Sequence, residues 1–384
     1  MLKIYLIAGE ASGDNIGSKL MKALRDKNPN IEFYGIGGRK MQEQKMNLLF
    51  SADELSVMGF LEIIPHIFKI FRRIKQTIQD IIKIQPDAVI TIDSPGFCFR
   101  VAKAIKGKIF GKLIHFVAPT VWAYKPERAK KIAQIYDHLL VILPFEPQYF
   151  LKEGLDTTYV GHPAVEDLEK KDPRLFREKY NIPQRDLLIC LAPGSRKQEV
   201  KMLLPIFLEA VEYLSKKVEC KITIAIPVKD NLRVIIKELT KTSTFKVILI
   251  DEIDKMELFS ATDIALTKSG TITTELAFYQ MPMVVGYKVN PISHWLLKRM
   301  IRIKYASIVN IMADEELVPE LLQERCNPIE IGEALYKAAH TSNNSIWNEK
   351  IKTQLAKLQL GDEIPSNLAA QKILNLISKK GNSI

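Results

Sequence analysis

The chain has little cysteine and lacks the patterns that define several classes of protein. Its cysteines show neither a C-x-x-C pair nor any other close spacing, so we expect no disulfide framework, and a cytoplasmic protein with reduced thiols is the simplest interpretation. No apolar run reaches the roughly 18–20 residues of a membrane span, and the N-terminal sequence lacks the apolar core of a signal peptide. Because neither histidines nor carboxylates are clustered, we predict no metal and no other cofactor.

Sequence patterns for nucleic-acid binding are also missing. The net charge is +11, from 55 basic and 44 acidic residues, but no zinc finger, aromatic-rich RNA motif or block of five cations occurs. We therefore predict no nucleic-acid partner, and a membrane surface or a phosphorylated substrate is the anionic partner that remains. A nicotinamide oxidoreductase is disfavoured because G-x-G-x-x-G does not follow the first predicted strand.

Cations and large apolar residues are interleaved in two segments, residues 63–83 and 294–305. The first contains Phe68, Arg72 and Arg73 and follows the apolar stretch 55–64. A basic amphipathic helix of this kind suits an anionic bilayer surface. An ordinary helix with one face on the core and one solvated basic face is the alternative.

Strands and helices alternate along most of the chain, which indicates an α/β fold with parallel sheets. The length of 384 residues favours two domains. A polar, proline-containing stretch around residues 159–183 separates two similar series. We predict two Rossmann-like domains facing a cleft, residues 1–165 and 180–355, with a helix at about 360–384 that packs back on the first. Ligands of such sheets bind beyond the carboxyl ends of the strands.

Candidate residues of the first domain follow its predicted strands. Asp93 ends a strand, where a carboxylate can accept a proton from an attacking hydroxyl, although it could equally cap the next helix. Trp122 and Lys125 suit a sugar face and a phosphate, with plain packing as the alternative. The turn after the first strand is small enough for close approach of a ligand, or is simply a capped strand–helix turn. Its candidate residues are Gly9, Glu10, Ser12 and Gly13.

Candidate residues of the second domain form two anion sites at predicted helix starts. Arg196 is expected in a first helical turn, which is unfavourable against the helix dipole unless an anion binds there; a solvated surface arginine is the alternative. Glu275 lies about one turn into another helix, where it could accept hydrogen bonds from ribose hydroxyls or act as a capping residue. The loops that precede these two side chains contain Gly194 and Ser195, and Ser269, Gly270 and Thr271.

An ordered set of motifs resembles the lipid-A-disaccharide synthase family. The matching stretches are AGEASGD, LSVMGFLEI, DSPGF, VAPTVWAY, LPFE, VGHP, LAPGSR, SGTITTELA, MPMVVGY and ELLQE, which span roughly residues 7–324. No single motif decides the resemblance, but the ordered set is highly specific. Many family members read D-x-P-D-F-N where this chain has DSPGFC, so only the first acid, Asp93, is carried over.

The resemblance implies an inverting glycosyltransferase of the GT-B type. Its donor would be UDP-2,3-diacylglucosamine and its acceptor 2,3-diacylglucosamine 1-phosphate, giving lipid A disaccharide 1-phosphate and UDP. The enzyme would lie peripherally on the cytoplasmic face of the inner membrane, and its assembly, monomer or homodimer, stays open. Asp93 would be the general base, Asn310 would reach the nucleotide, and acyl chains would lie along the apolar stretch. That stretch contains Val57, Met58, Phe60 and Leu61.

Two other functions remain open on the residues alone. Another UDP-sugar enzyme of the same fold, such as a lipid-intermediate N-acetylglucosaminyltransferase or a UDP-sugar epimerase, could have a nearly identical donor site. A non-enzymatic basic protein that binds membrane surfaces is the second alternative, but two candidate loops directed at one predicted cleft argue against it.

Overall fold

The protein divides into two compact units in a computed structural model that describes residues 1–55, 63–290, 303–341 and 345–378, without the side chains of 63–67 and 341. The first unit comprises Met1–Pro163 and Leu358–Ile384, and the second comprises Ala164–Lys357. Each is built on a parallel sheet with helices, so the prediction of two Rossmann-like domains is confirmed.

The first unit contains a seven-stranded parallel sheet with the order β3-β2-β1-β4-β5-β6-β7. Its strands are β1 (Leu2–Ala8), β2 (Ile31–Gly37), β3 (Asn47–Ser51), β4 (Ala88–Ile92), β5 (Lys112–Phe116), β6 (His138–Val141) and β7 (Thr157–Tyr159). Its first helices are α1 (Ala11–Lys27), α2 (Arg39–Glu43), α3 (Ile63–Ile84), α4 (Pro95–Ile105), α5 (Arg128–Ala133) and α6 (Pro147–Leu151).

The second unit contains a six-stranded parallel sheet with the order β10-β9-β8-β11-β12-β13. Its strands are β8 (Leu187–Ala192), β9 (Ile222–Pro227), β10 (Lys246–Ile250), β11 (Ile264–Thr267), β12 (Met283–Tyr287) and β13 (Glu320–Leu322). Its helices are α7 (Pro173–Lys179), α8 (Lys197–Ser215), α9 (Asp230–Thr240), α10 (Lys255–Ala261), α11 (Thr271–Phe278), α12 (Ile308–Ala313), α13 (Pro328–Thr341) and α14 (Ser345–Leu358).

The last helix, α15 (Pro365–Ser378), belongs to the first unit and packs against α1. Ala369, Ala370 and Ile373 are fully buried and share a core cluster with residues of β1 and α1. The small alanines allow the two helices to approach closely, so the C-terminal segment completes one side of the first sheet.

Alternate side chains of β1 show that both faces of the first sheet are covered. In β1, Ile4 and Leu6 face the cluster beneath α1 and α15, whereas Tyr5 and Ile7 face the cluster beneath α4. All four side chains are fully buried. Apolar residues at every position are typical of parallel strands with helices on both sides, and this is why the sequence predicts these central strands well.

Candidate functional site

Each sheet reverses its strand order at one place, and most candidate loops start there. In the first sheet this switch point lies between β1 and β4, where Ala8 is paired with Ile92. In the second it lies between β8 and β11, where Ala192 is paired with Thr267. Loops that leave the carboxyl ends of such neighbouring strands diverge and leave room for a ligand.

The loop after β4 has an unusual backbone at the first switch point. Asp93 and Ser94 have φ values of 51° and 47°, in the left-handed region that residues other than glycine rarely adopt. Ser94 also precedes Pro95, and a following proline disfavours helical conformations. Strain of this kind, about 1–3 kcal/mol for each residue, is concentrated at functional sites. Other residues besides glycine, such as Lys45 and Gln85, also have a positive φ, so the backbone alone assigns no role to Asp93.

The loop after β1 lies directly against this strained segment. A Cβ atom added to Gly9 would lie 2.6 Å from the Ser94 Oγ atom, so the close approach of the two loops requires glycine. Gly13 is buried, and a Cβ there would lie 3.3 Å from the Ala8 Cβ atom, so its small size serves the packing of α1 on the sheet. Glu10 and Ser12 are exposed at the start of α1.

Trp122 is held by a buried carboxyl group that the sequence did not single out. The Trp122 Nε1 atom donates a hydrogen bond of 3.2 Å to Glu146 Oε1, and Glu146 Oε2 accepts from the amides of Ile142 and Leu143. Glu146 is 1% exposed. Burial raises its pKa to about 7, although these three hydrogen bonds act in the opposite direction. Glu146 thereby ties the loop after β5 to the loop after β6.

Lys125 lies near Trp122 in the same loop and also has a positive φ, 52°. Its Nζ atom is 5.0 Å from the centre of the Tyr124 ring, and the Arg128 guanidinium is 5.3 Å from the same ring. Two cations therefore share one aromatic side chain at the carboxyl edge of the first sheet. This arrangement is compatible with binding of a phosphorylated sugar.

The glycine loop after β8 is occupied by a glutamate of the same chain, which the sequence analysis missed. Glu199 Oε2 accepts hydrogen bonds from the amides of Ser195 (3.1 Å) and Arg196 (3.3 Å). Gly194 has a φ of 133°, and a Cβ there would lie 2.4 Å from Glu199 Oε2. The Ser195 amide thus binds Glu199, and Gly194 leaves room for the Glu199 side chain. We expected both residues to contact the donor instead.

Arg196 is the residue that precedes α8, not part of its first turn as expected. Its side chain is 73% exposed, and its guanidinium approaches Glu199 only to 4.0 Å. Lys268, directly after β11, approaches the same carboxylate more closely, with its Nζ atom 2.8 Å from Glu199 Oε1. The second switch point therefore carries two cations around one carboxylate, and Lys268 is a further residue that the sequence analysis did not select.

The loop after β11 presents backbone at the start of α11. Gly270 and Thr271 are exposed, and a Cβ atom added to Gly270 would meet no atom within 4 Å. The Ser269 hydroxyl instead donates to the carbonyl of Ala306 at 2.6 Å. Ser269 therefore fixes the loop, while Gly270 and Thr271 leave the helix start accessible to an anion.

Glu275 lies one turn into α11, as the sequence predicts, and it has a counter-ion. Lys255 Nζ is 3.2 Å from Glu275 Oε2 and 3.4 Å from Glu275 Oε1. Both side chains are mostly buried, with 20% of Lys255 and 16% of Glu275 exposed. A ribose that binds Glu275 would meet a carboxylate that is already held in place.

Asn310 lies in the interior, and this corrects the expectation that its side chain reaches the nucleotide. It is fully buried, its Nδ2 atom donates to Val318 and Glu320, and its Oδ1 atom accepts from two amides. Glu320 also accepts from the amide of Ala306, whose carbonyl binds Ser269. With its hydrogen-bonding atoms engaged by protein, Asn310 supports the loop that contacts Ser269.

Of the three residues of α3 that we expected to face a membrane, two are exposed and one is not. Phe68 is 73% exposed and Phe71 is 56% exposed, and Arg72 is exposed near them. Arg73 faces inward: it forms an ion pair with Glu54 and lies 4.5 Å from the centre of the Phe50 ring. It shares the buried face of α3 with Ile74, so Arg73 is removed from the membrane-facing set.

Several expectations about membrane contact fall outside the described residues. These are Val57, Met58, Phe60 and Leu61, and residues 294–302 of the second basic segment. In the described part of the chain, no helix combines the length and the apolar character needed to span a bilayer. Over the same residues, no group of three or more His, Cys, Asp or Glu side chains is arranged to bind a metal.

Comparison with known proteins decides the family. The family model described as lipid-A-disaccharide synthetase matches residues 4–374. The chain belongs to the lipid-A-disaccharide synthetase family. The lipid-A-disaccharide synthase of Rhodospirillum centenum is 40% identical over 386 residues, which cover 99% of this chain and 96% of that protein. That of Rickettsia felis is 41% identical over 382 residues, which cover 97% and 96%.

Solved structures with low sequence identity share the fold with this member of the lipid-A-disaccharide synthetase family. A UDP-GlcNAc 2-epimerase from Neisseria meningitidis has a TM-score of 0.61 at 15% identity, covering 98% of this chain and 100% of that one. A glycosyltransferase from Rickettsia africae has a TM-score of 0.59 at 14% identity, covering 100% and 99%. The predicted GT-B class and the predicted glycosyltransferase of lipid A biosynthesis are thus confirmed.

Proposed function

We propose that the protein condenses UDP-2,3-diacylglucosamine with 2,3-diacylglucosamine 1-phosphate to give lipid A disaccharide 1-phosphate and UDP. The family match over residues 4–374 carries this proposal. The residues of both switch points support it, because an acid, several cations and accessible helix starts are the groups that such a transfer needs.

The second unit binds the UDP part of the donor in this proposal. Gly270 and Thr271 offer amides at the start of α11 to the diphosphate, and their exposure supports this role. Arg196 and Lys268 supply positive charge next to the neighbouring loop. A diphosphate that reaches the Ser195 and Arg196 amides must displace the Glu199 carboxylate, since both are acceptors for the same donors.

The first unit supplies the general base. Asp93 removes the proton of the acceptor 6-hydroxyl while that oxygen attacks the anomeric carbon of the donor on the face opposite UDP. The carbon–oxygen bond to the diphosphate breaks, and its electron pair leaves with UDP. Positive charge on the donor ring and negative charge on the diphosphate develop together, so the cations around Glu199 stabilise the departing group.

The acylated sugars are collected from a membrane surface, since neither substrate leaves a bilayer readily. The exposed Phe68 and Phe71 on α3, with Arg72 beside them, support a peripheral attachment to anionic lipid. Each cation close to such a surface contributes about 1 kcal/mol. Sedimentation with anionic vesicles tests this point: Arg72→Glu should weaken binding, whereas Arg185→Glu, an exposed arginine of the second unit, should leave it unchanged.

A reaction with both acylated sugars tests the proposed activity. The purified full-length chain is incubated with the two substrates in mixed micelles, and mass spectrometry follows the products. We expect UDP and the disaccharide 1-phosphate in equal amounts. Replacing the donor with UDP-N-acetylglucosamine is the control. Turnover of that compound to an epimer or to a glycolipid, without use of the acylated donor, would assign the protein to another class of UDP-sugar enzyme.

A further inference from the structure

Lys125 and Arg128 carry two positive charges to which the proposed reaction gives no role. Both lie between the end of β5 and the first turn of α5, at the carboxyl edge of the first sheet, and both are partly buried. Among the residues that the structure describes, neither forms an ion pair, not even with Glu127, which lies between them in the sequence. Two unneutralised charges therefore lie at the edge of the sheet where ligands bind.

The Tyr124 ring holds these two cations without cancelling their charge. The Lys125 ammonium and the Arg128 guanidinium lie 5.0 Å and 5.3 Å from the centre of the ring. A cation–π contact attracts a cation through the quadrupole of the ring, but the ring has no net charge. Two like charges that share one ring also repel each other. An anion that binds to both relieves this repulsion and gains two charged partners.

The segment that carries the two cations is fixed to the body of the first unit. The amide of Arg128 donates to the carbonyl of Lys125 at 3.0 Å, so a single turn of backbone joins the two residues. Trp122 anchors the same segment through its hydrogen bond to Glu146, and its ring packs edge-on against Phe145, with the ring centres 5.2 Å apart. Because the backbone is already ordered, an anion that binds here has only the two long side chains to order.

The loop that carries these cations begins beside the proposed general base. The amide of Asp93 donates to the carbonyl of Phe116, the last residue of β5, at 3.0 Å. In the acceptor, the reacting 6-hydroxyl and the 1-phosphate are attached to the same sugar ring, so the phosphate must bind within the length of one sugar from the base. β4 has two neighbours, β1 and β5, and residues 9–18 after β1 contain neither lysine nor arginine. The loop after β5 is therefore the neighbouring loop that can supply cations.

We propose that Lys125 and Arg128 bind the 1-phosphate of the acceptor sugar and so select a phosphorylated acceptor over its dephosphorylated counterpart. This inference rests on the proposed function and deepens it, because it assigns the charge of the acceptor to named residues of the first unit. The diphosphate of the donor has its own partners in the second unit. Lys125 and Arg128 therefore contribute to the binding of the acceptor and not to that of UDP.

A kinetic comparison of two acceptors, 2,3-diacylglucosamine 1-phosphate and 2,3-diacylglucosamine, tests the inference on the full chain. Each is presented with UDP-2,3-diacylglucosamine in micelles of a neutral detergent, so that attraction to anionic lipid does not contribute. The wild type should have a kcat/KM about 100-fold higher for the phosphorylated acceptor, because each charge-assisted contact contributes about tenfold. Arg128→Met should lower kcat/KM for this acceptor about tenfold, mainly through KM, and leave kcat/KM for the other acceptor unchanged.

Two further variants define the site. Arg128→Lys should keep most of the preference, because it keeps the charge. Lys125→Met combined with Arg128→Met should remove the preference. Methionine is unbranched and packs well on an aromatic ring, so it preserves the contact with Tyr124. Because both acceptors are compared in one preparation, the ratio of the two kcat/KM values does not depend on the fraction of folded protein.

Lys130→Met is the matched control, because it changes the net charge equally and lies on the same helix. Lys130 is exposed on α5, two positions from Arg128 and therefore on another face of the helix. This substitution should leave kcat/KM for both acceptors unchanged. An equal effect of Lys130→Met and Arg128→Met on the preference would indicate long-range electrostatic attraction and overturn the inference.

Several other results would also overturn the inference. An equal loss with both acceptors in Arg128→Met would indicate a structural role. Weaker binding of UDP to Arg128→Met in calorimetry would place the donor's diphosphate at these cations. Weaker sedimentation of this variant with anionic vesicles, at an unchanged preference between acceptors, would place a lipid headgroup there. A wild type that uses both acceptors equally would exclude phosphate recognition while the proposed transfer stands, whereas a wild type that uses neither would contradict the proposed function itself.

Discussion

Replacement of Asp93 by asparagine separates the proposed chemical role of this residue from the demands of its backbone. Asp93 has a φ of 51°, where most side chains cost about 1–2 kcal/mol. Asparagine tolerates this region and matches the shape of aspartate, but its carboxamide cannot accept a proton. General base catalysis contributes about 10²–10⁴-fold. We therefore expect kcat of Asp93→Asn to fall by about 10²–10⁴-fold with little change in the affinity for UDP.

Asp93→Ala provides the structural comparison. Alanine should lose catalysis to the same extent and should also destabilise the first unit by about 1 kcal/mol relative to asparagine, or about 2–4 °C in Tm for a unit of this size. The assays are UDP release at saturating concentrations of both acylated sugars and thermal unfolding followed by circular dichroism. Turnover of Asp93→Asn within about threefold of the wild type would refute the role as base, and equal stability of the two variants would refute the argument from backbone strain.

Three further predictions concern the two units separately. Gly270→Ala should leave the stability unchanged, because the added methyl group meets no protein atom within 4 Å. The same substitution should weaken UDP binding, measured by calorimetry, about tenfold. An unchanged affinity would show that the diphosphate binds elsewhere. Lys268→Met should also weaken UDP binding about tenfold. Lys201 is an exposed lysine on α8, and Lys201→Met should leave UDP binding unchanged. Equal effects of the two substitutions would indicate that Lys268 acts only through long-range electrostatic attraction. Glu146 has a pKa raised from 4.5 to about 7 in the folded state, so its contribution to stability is complete below pH 4.5 and is lost as the pH rises through 7. The free energy of unfolding, measured in urea, should therefore be about 3 kcal/mol lower at pH 8 than at pH 5 because of this group. This difference should be absent in Glu146→Gln. An identical pH dependence in both proteins would contradict the prediction.

The central strands could be predicted from sequence because each is a continuous apolar run, whereas three short edge strands were missed. β3, β7 and β13 are three to five residues long and have the sequences NLLFS, TTY and ELL. Each lies at the edge of its sheet and pairs with a single neighbour. Such strands contribute little burial of their own, so no hydrophobic pattern marks them.

The positions of the candidate loops could be predicted, but the contacts made within them could not. The place of Glu275 in α11 follows from helical spacing alone. Glu199 completes a capping arrangement at α8, yet the usual Ser, Thr, Asp or Asn before the helix is replaced by Arg196, so the pattern is not recognisable. The pairs Trp122–Glu146 and Lys255–Glu275 join residues 24 and 20 positions apart. Only the fold brings such residues together.

The return of α15 to the first unit has a consequence for biosynthesis. The ribosome completes Met1–Pro163 early, but the helix that covers α1 and contributes Ala369, Ala370 and Ile373 to the core emerges only after the whole second unit has been translated. The apolar surface that α15 covers in the complete chain therefore stays exposed on the nascent first unit while nearly two hundred further residues are added. Translation that stops before codon 365 should therefore leave a fragment that exposes this apolar surface and is prone to aggregation.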